Sequence, residues 1–236
     1  MRLGVMQPYF LPHLGYFSLI SHCDRFILLD TVQFIRHGWI DRNRVLKPTD
    51  GWQYIGVPLV RHARSTLIKD VRIDDRVEWR RRLVAQLDHY RKRAPHHGEV
   101  VGWLEEHLQS ETASIVALDA HLLRAACARL EIRTPIDVFS EIGLAIEPPA
   151  APDEWALNIC KAIGGVTEYW NPPGGRSFFD GEKYAASGIK LSFLAHRPVP
   201  YDQKRDRFVP GLSILDVMMF NGDKAVGAML DNYDLL

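Results

Sequence analysis

The period of the apolar positions changes several times along the chain, and each change marks an element. "RLGVM" is a short apolar run that ends in the proline-punctuated "QPYFLP", the pattern of a buried strand entering a loop. Leu14, Phe17, Leu19, Ile20 and Cys23 then recur at helical spacing and predict a helix over about His13–His22. "RFILLD" is continuous rather than alternating, as expected of a strand covered on both faces. Strand, helix and strand in that order open an α/β domain with a parallel sheet.

Farther on, Asp50-Gly51 sits between "NRVLK" and "WQYIGVPLV", which predicts a hairpin, and "LIKDVRID" is expected to add a short strand. Trp79, Leu83, Leu87 and Tyr90 space out one helical face. Ile115, Leu118, Leu122, Ala126 and Leu130 make another, with a shorter helix "GEVVGWLEEHL" between them. A helical insertion or subdomain is therefore expected at about 78–130. "PIDVFSEI" returns to strand character, and "EPPAAPDEW" leads into a helix with Asp153 as N-cap and Gly164-Gly165 as its stop. A strand "VTEYWNP", a loop "PPGGRSFFDG", a short helix "EKYAASG" and a strand "IKLSFLA" follow. "SILDVMMFN" and "DKAVGAMLDNY" end the chain as two helices. Ser213-x-x-Asp216 reads as a capping box, with Leu212 and Val217 placed as a hydrophobic staple, so Ser213 is a structural residue rather than a nucleophile. The expected organisation is one α/β domain over 1–236 with an open, mostly parallel sheet.

Composition narrows the partners. The chain is long enough for a substantial core, and its 29 Lys and Arg balance 29 Asp and Glu, so no global field draws it to nucleic acid or an anionic membrane. Anion binding must come from local clusters. The basic run "WRRRLVAQLDHYRKR" shares a helix with an apolar stripe and reads as a solvated face, not a nucleic-acid surface. Cys23, Cys127 and Cys160 form no C-x-x-C pair, which argues against a disulfide framework or zinc finger and suits a reducing cytoplasm. No signal-peptide pattern is present and the apolar runs are too short to span a bilayer, so a cytoplasmic protein without membrane insertion is expected. The ten histidines show no H-E-x-x-H spacing, and no metal site is expected.

Three loops concentrate candidate chemistry. In "MQPYFLPHLGYF" a strand gives way to a helix start, where free N–H groups and the positive dipole end suit phosphate or carboxylate. Gln7, Pro8, Tyr9, His13, Gly15 and Tyr16 are the candidates there, Gly15 because it lets a ligand approach the backbone. "DTVQFIRHGWIDRNRV" follows the second strand and offers Asp30, Gln33, Trp39, Arg42, Asn43 and Arg44. An arginine fork binds two anion oxygens at once, and Arg42 and Arg44 are expected to alternate in side-chain direction if extended, so that at most one faces a given pocket. "YWNPPGGRSFFDG" offers Asn171, Gly174, Gly175 and Arg176 as a loop able to lie over phosphates, or else only a tight turn before Asp180 caps a helix. Tyr201 and Gln203, in the loop before the last helices, are further candidates for ligand contact.

These strings, with "YDQKRDRFVPGLSILDVMMFNG" and in this order, resemble the WbqC-like protein family over nearly the whole chain. That resemblance implies a setting in bacterial surface-polysaccharide biosynthesis, O-antigen included, and transfer of glycine or another amino acid to an amino sugar. The N-terminal part is also similar to pantothenate synthetase and its nucleotidylyltransferase relatives. Here "HLGY" stands where they carry H-x-G-H, with Tyr16 in place of the second histidine, and "VQF" at 32–34 stands where they carry a "QF" segment. The similarity implies a Rossmann-like, nucleotidylyltransferase-like sheet and activation of a carboxylate by ATP with Mg2+.

The expected function is an ATP-dependent acyl or aminoacyl transferase that forms an amide through an acyl-adenylate. Its partners would be a small carboxylate and a small amine, the amine carried on an amino sugar or a nucleotide sugar. His13, Arg42 and Asp30 are the expected catalytic residues, with Asp30 the only evident magnesium ligand. Acyl transfer from a preactivated donor without ATP, or non-catalytic binding of a nucleotide sugar, are the alternatives. A homodimer is compatible with either.

Overall fold

A computed structural model describes residues 1–236. The elements run β1 (Arg2–Met6), α1 (Leu14–Ser21), β2 (Arg25–Leu28), β3 (Arg42–Leu46), β4 (Trp52–Gly56), α2 (Trp79–Ala85), α3 (His97–Leu108), α4 (Ile115–Arg129) and β5 (Ile136–Val138). They continue as α5 (Glu154–Ile163), β6 (Glu168–Asn171), α6 (Gly181–Ala186), β7 (Lys190–His196), α7 (Ile214–Phe220), α8 (Asp223–Met229) and β8 (Tyr233–Leu235).

Side-chain alternation in the first strands sorts the core into two faces. Leu3 and Val5 of β1 and Ile27 of β2 join a smaller cluster with Leu157 of α5 and Tyr184 of α6. Phe26 and Leu28 face the other way, into a cluster of 48 buried side chains that takes in α1, the β3–β4 hairpin and helices α2 to α4. The helical block thus shares one continuous core with the first helix. With both faces covered, Phe26, Ile27 and Leu28 are each fully buried, which accounts for the uninterrupted apolar run.

The main sheet has six strands in the order β5-β2-β1-β6-β7-β8. The first five pair in parallel and β8 pairs antiparallel with β7, so the sheet is open, mostly parallel and Rossmann-like. Strand connections leave β1 toward β2 on one side and β6 toward β7 on the other, so the order reverses between β1 and β6. Ligands of open α/β sheets bind in the crevice beyond the strand ends at such a reversal.

Local readings changed where tertiary partners intervened. "LIKDVRID" is a 3-10 turn at Ile68–Asp70 rather than a strand, because the Ile68 and Lys69 N–H groups donate to the carbonyls of Val32 and Asp30. The chain end is a strand rather than helix beyond Met229, with Tyr233 and Leu235 set opposite His196 and Leu194. Asp153 makes no capping bond to α5; its carboxylate accepts instead from the Asp180 N–H and pairs with Lys183. Ser213 does cap α7, accepting from the Leu215 N–H at 3.3 Å, but Asp216 does not reach back to it. The Ser213 N–H donates to the Arg44 carbonyl, and Asp216 accepts from the phenols of Tyr90 and Tyr201. No helix is long and apolar enough to cross a membrane.

Candidate functional site

The loop after β1 is held carbonyl by carbonyl. Gln7 O accepts from the Tyr16 hydroxyl (2.8 Å), Phe10 O from the Asn43 amide (3.0 Å), Leu11 O from the Ser213 hydroxyl (2.7 Å) and Pro12 O from the Ile214 N–H (2.8 Å). Leu11 adopts a left-handed φ of 42°, a strain on the order of 1–3 kcal/mol for a bulky residue. Its side chain is buried, which returns roughly 1.5–3 kcal/mol, and the Ser213 bond adds about 1 kcal/mol. Burial and the clamp therefore outweigh the strain, and the loop keeps one shape.

Beyond the ends of β1 and β6 lies a cleft of two lobes. The lobe on the α1 side, about 680 Å³, is lined among others by His13, Tyr16, Trp39, Arg44 and His196. The lobe on the α5 side, about 1160 Å³, is lined among others by Val32, Phe34, Trp155, Phe178 and Phe179. Met6, Tyr9, Asn171, Gly174 and Gly175 line both, so the loops after β1 and β6 form the ridge between them. Neither lobe is lined by an Asp or a Glu, whereas Arg44 borders the first and Arg36 and Arg64 the second. In a chain of zero net charge this local excess of cations favours anions.

Hydrogen bonds set the two histidines of the polar lobe in opposite roles. His13 N-caps α1, its Nδ1 accepting from the Gly15 N–H at 3.1 Å, which leaves the ring proton on Nε2. His196, the last residue of β7, donates from Nε2 to the Met229 carbonyl at 3.0 Å, so in the neutral ring Nδ1 keeps a lone pair. Crowding by protein, then the nearby His196 and Arg44, push the pKa of His13 down to about 4, although part of the residue stays exposed at the cavity. Burial likewise lowers the pKa of His196. Both rings are therefore neutral at physiological pH, one offering an N–H and the other a base. A Cβ on Gly15 would stand 2.9 Å from the His13 ring and 3.1 Å from His196 Cβ, so only glycine lets the two come together.

The same cap changes the expectation for the helix start. Gly15 N–H goes to the His13 ring and Tyr16 N–H to the His13 carbonyl, so these donors are already engaged, and the Nε2–H of His13, a residue that lines the cavity, is the donor left over. Arg44 is the other strong donor. Its guanidinium lies near the rings of Trp39 and Trp52 (5.2 and 5.1 Å), gives one bond to the Gly211 carbonyl at 3.0 Å, and has a buried Nε with no partner in the protein.

Of the residues singled out by sequence, the structure brings Tyr9, His13, Gly15, Tyr16, Trp39, Asn43, Arg44, Asn171, Gly174 and Gly175 to the polar lobe, and Gln7 and Gln33 to the apolar one. Others lie elsewhere. Arg42 shares the outer face of β3 with Arg44, since residues two apart point the same way, but it runs along the strand to stack on Tyr54 at 4.1 Å and donates to the carbonyls of His37 and Gly38. Asp30 is buried at the end of β2, where its two oxygens accept from the Ser140 N–H and hydroxyl and anchor the turn after β5. Tyr201 and Gln203 bond to Asp216 and pin their loop to α7. Pro8 is buried outside both lobes, and Arg176 is exposed on the turn after β6. With Asp30 removed and no other carboxylate present, the cleft does not fit a magnesium ion held by the protein. His196 went unnoticed in the sequence; its signal was a polar residue ending an apolar strand, where parallel sheets place their ligands.

The family model of the WbqC-like protein family matches residues 7–228, and the chain belongs to that family. The chain is also similar to the uncharacterized protein Rv1507c of Mycobacterium tuberculosis, 29% identical over 235 residues, covering 98% of this chain and 96% of that protein. No solved structure matches it.

Proposed function

We propose that this member of the WbqC-like family is an amide-forming acyl or aminoacyl transferase that uses ATP and acts on the amine of an amino sugar, in surface-polysaccharide biosynthesis. The observation that supports it is the paired cleft: a polar lobe free of carboxylates, with Arg44 and two neutral histidines, joined across Tyr9 and Asn171 to a lobe that carries Gln7 and Gln33. In this reading the polar lobe takes the phosphates and the second lobe takes the carboxylic acid. A carboxylate oxygen attacks the α-phosphorus, the bond to the bridging oxygen breaks, and pyrophosphate leaves. The amine nitrogen then attacks the acyl carbon of the adenylate, the carbon–oxygen bond to AMP breaks, and the amine proton passes to Nδ1 of His196. Arg44 and the Nε2–H of His13 meet the charge that develops on the phosphate oxygens, the largest lever in such chemistry.

A second reading, transfer from a preactivated acyl donor without ATP, is favoured by the lack of a carboxylate to hold magnesium in either lobe. One experiment separates them. Pure protein is incubated with ATP, a panel of carboxylic and amino acids and amino-sugar nucleotides, and pyrophosphate, AMP and product mass are followed. ATP-dependent amide with stoichiometric AMP is the expected result. Amide formation from an acyl thioester without AMP supports the second reading, and no amide from either donor overturns both.

A further inference from the structure

The lobe on the α5 side is built differently from its neighbour. Twelve of the twenty residues that line it are hydrophobic, and unlike its neighbour it holds no histidine. Its volume of about 1160 Å³ exceeds the usual range of roughly 300–1,000 Å³ for small-molecule pockets, far more than a small polar acid requires. Ile35 and Phe178 stand on its wall with 57% and 50% of their surface exposed, the two most exposed large apolar side chains of the chain apart from the C-terminal Leu236.

The polar groups in this lobe say which end of the ligand carries charge. Gln7 and Gln33 offer neutral amides, Arg36 and Arg64 are cationic, and no acid lines the wall. Gly175, on the ridge, packs so closely on Asn171 and Phe179 that a Cβ would meet them at 2.6 and 2.8 Å, so the ridge has no room for a side chain there. We infer that the lobe binds a carboxylic acid with an apolar body, aliphatic or aryl, the body lying against Trp155 and Phe178 and the carboxylate held in this acid-free, cationic setting. The acyl group transferred is then an apolar one rather than glycine. This rests on the amide-forming reading only for its consequence in catalysis; the binding itself does not.

The test is therefore a binding titration without ATP or amine. The full chain is titrated with the sodium salts of acetate, butyrate, hexanoate and octanoate, with phenylacetate, and with glycine, by calorimetry and by tryptophan fluorescence. Affinity should tighten about fourfold for each methylene that becomes fully buried, and glycine should give no heat. Phe178→Ser, which alters a half-exposed side chain, should weaken octanoate at least tenfold while pyrophosphate binding in the polar lobe and the melting temperature stay unchanged. Affinity that is flat along the series, glycine bound more tightly than octanoate, or octanoate binding untouched in Phe178→Ser overturns the inference. Failure to make any amide would sink the transferase reading and leave this result standing. Amide made with glycine but with none of the apolar acids would overturn the assignment of the transferred acyl group and leave the transferase reading standing.

Discussion

The two lobes meet at the same pair of strand ends, yet the chain treats their walls in opposite ways. On the α1 side nearly every polar atom is placed by another: Gly15 sets the His13 ring, Met229 sets the His196 ring, and Gly211 with two tryptophans sets Arg44. On the α5 side hydrophobic side chains outnumber polar ones, Ile35 and Phe178 among them stand half exposed, and the arginines lie at the surface. A lobe of oriented donors does chemistry on charge, because fixed dipoles act without reorganising as charge develops. A lobe of exposed carbon surface selects by size and hydrophobicity. On the proposed reading, this difference gives reaction to one side and selection to the other.

The largest effect should come from the base. His196→Ala should lower the rate of amide formation about 10²–10⁴-fold while octanoate binding in the other lobe is unchanged; equal loss of both would show that His196 only supports the fold. The pH profile follows from the same group. Burial lowers its pKa below the ordinary 6.5, so if it is the base, activity should rise with pH through a midpoint below 6.5 and level off by about neutral pH. A profile that instead declines from pH 7 upward would point to an acid in its place.

Next, Arg44→Ala should weaken binding of ATP or pyrophosphate by roughly 10–100-fold, the worth of a charged hydrogen-bond donor, and leave octanoate alone. Calorimetry of both ligands on the one variant reads the contrast directly.

A stability measurement probes the underside of the polar lobe. Asp119 of α4 is fully buried, neither carboxylate oxygen has a partner in the protein, and burial, then the charge of Asp41, raise its pKa well above 3.8. The raised value means that its folding penalty is absent below the unfolded pKa and grows as pH climbs above it. Asp119→Leu should therefore stabilise the chain by about 1–3 kcal/mol near neutral pH and by little near pH 3, read as melting temperatures at the two pH values. Asp216, equally buried, is the control: it accepts from Tyr90, Tyr201 and Gln203, and Asp216→Leu should destabilise at neutral pH.

The smallest effect is expected from Arg42→Ala, which removes only a stack on Tyr54 and two carbonyl contacts outside both lobes, about 0.5–1 kcal/mol of stability. Ligand affinities that drop as far as in Arg44→Ala would mean that the cleft extends to the outer end of β3.

Much of this cleft was legible in the sequence because the opening loop announces itself: a buried strand, two prolines and a helix start can only lie at the strand ends of an α/β sheet. Gln7, Tyr9, His13 and Gly15 follow from that position. Arg42 and Arg44 could not be told apart, since they share a strand face and differ only in what stands beside them, Tyr54 for one and the two tryptophans for the other. Asp30, Tyr201 and Gln203 looked free in the sequence and are engaged in the structure, because their partners Ser140 and Asp216 are distant along the chain.

The sequence by itself determined the α/β alternation, the hairpin at Asp50-Gly51, the first helix and the loop that begins the site, all of which rest on spacing and turn chemistry within a few residues. Only the tertiary structure decided the strand order that reverses between β1 and β6, the arrival of His196 beside His13, and the absence of any carboxylate from both lobes. The physical reason is separation. Period and capping are local properties of a chain, whereas a histidine's tautomer, an aspartate's partners and a cavity's charge are fixed by groups brought together from distant segments, and those meetings are set by packing over the whole core.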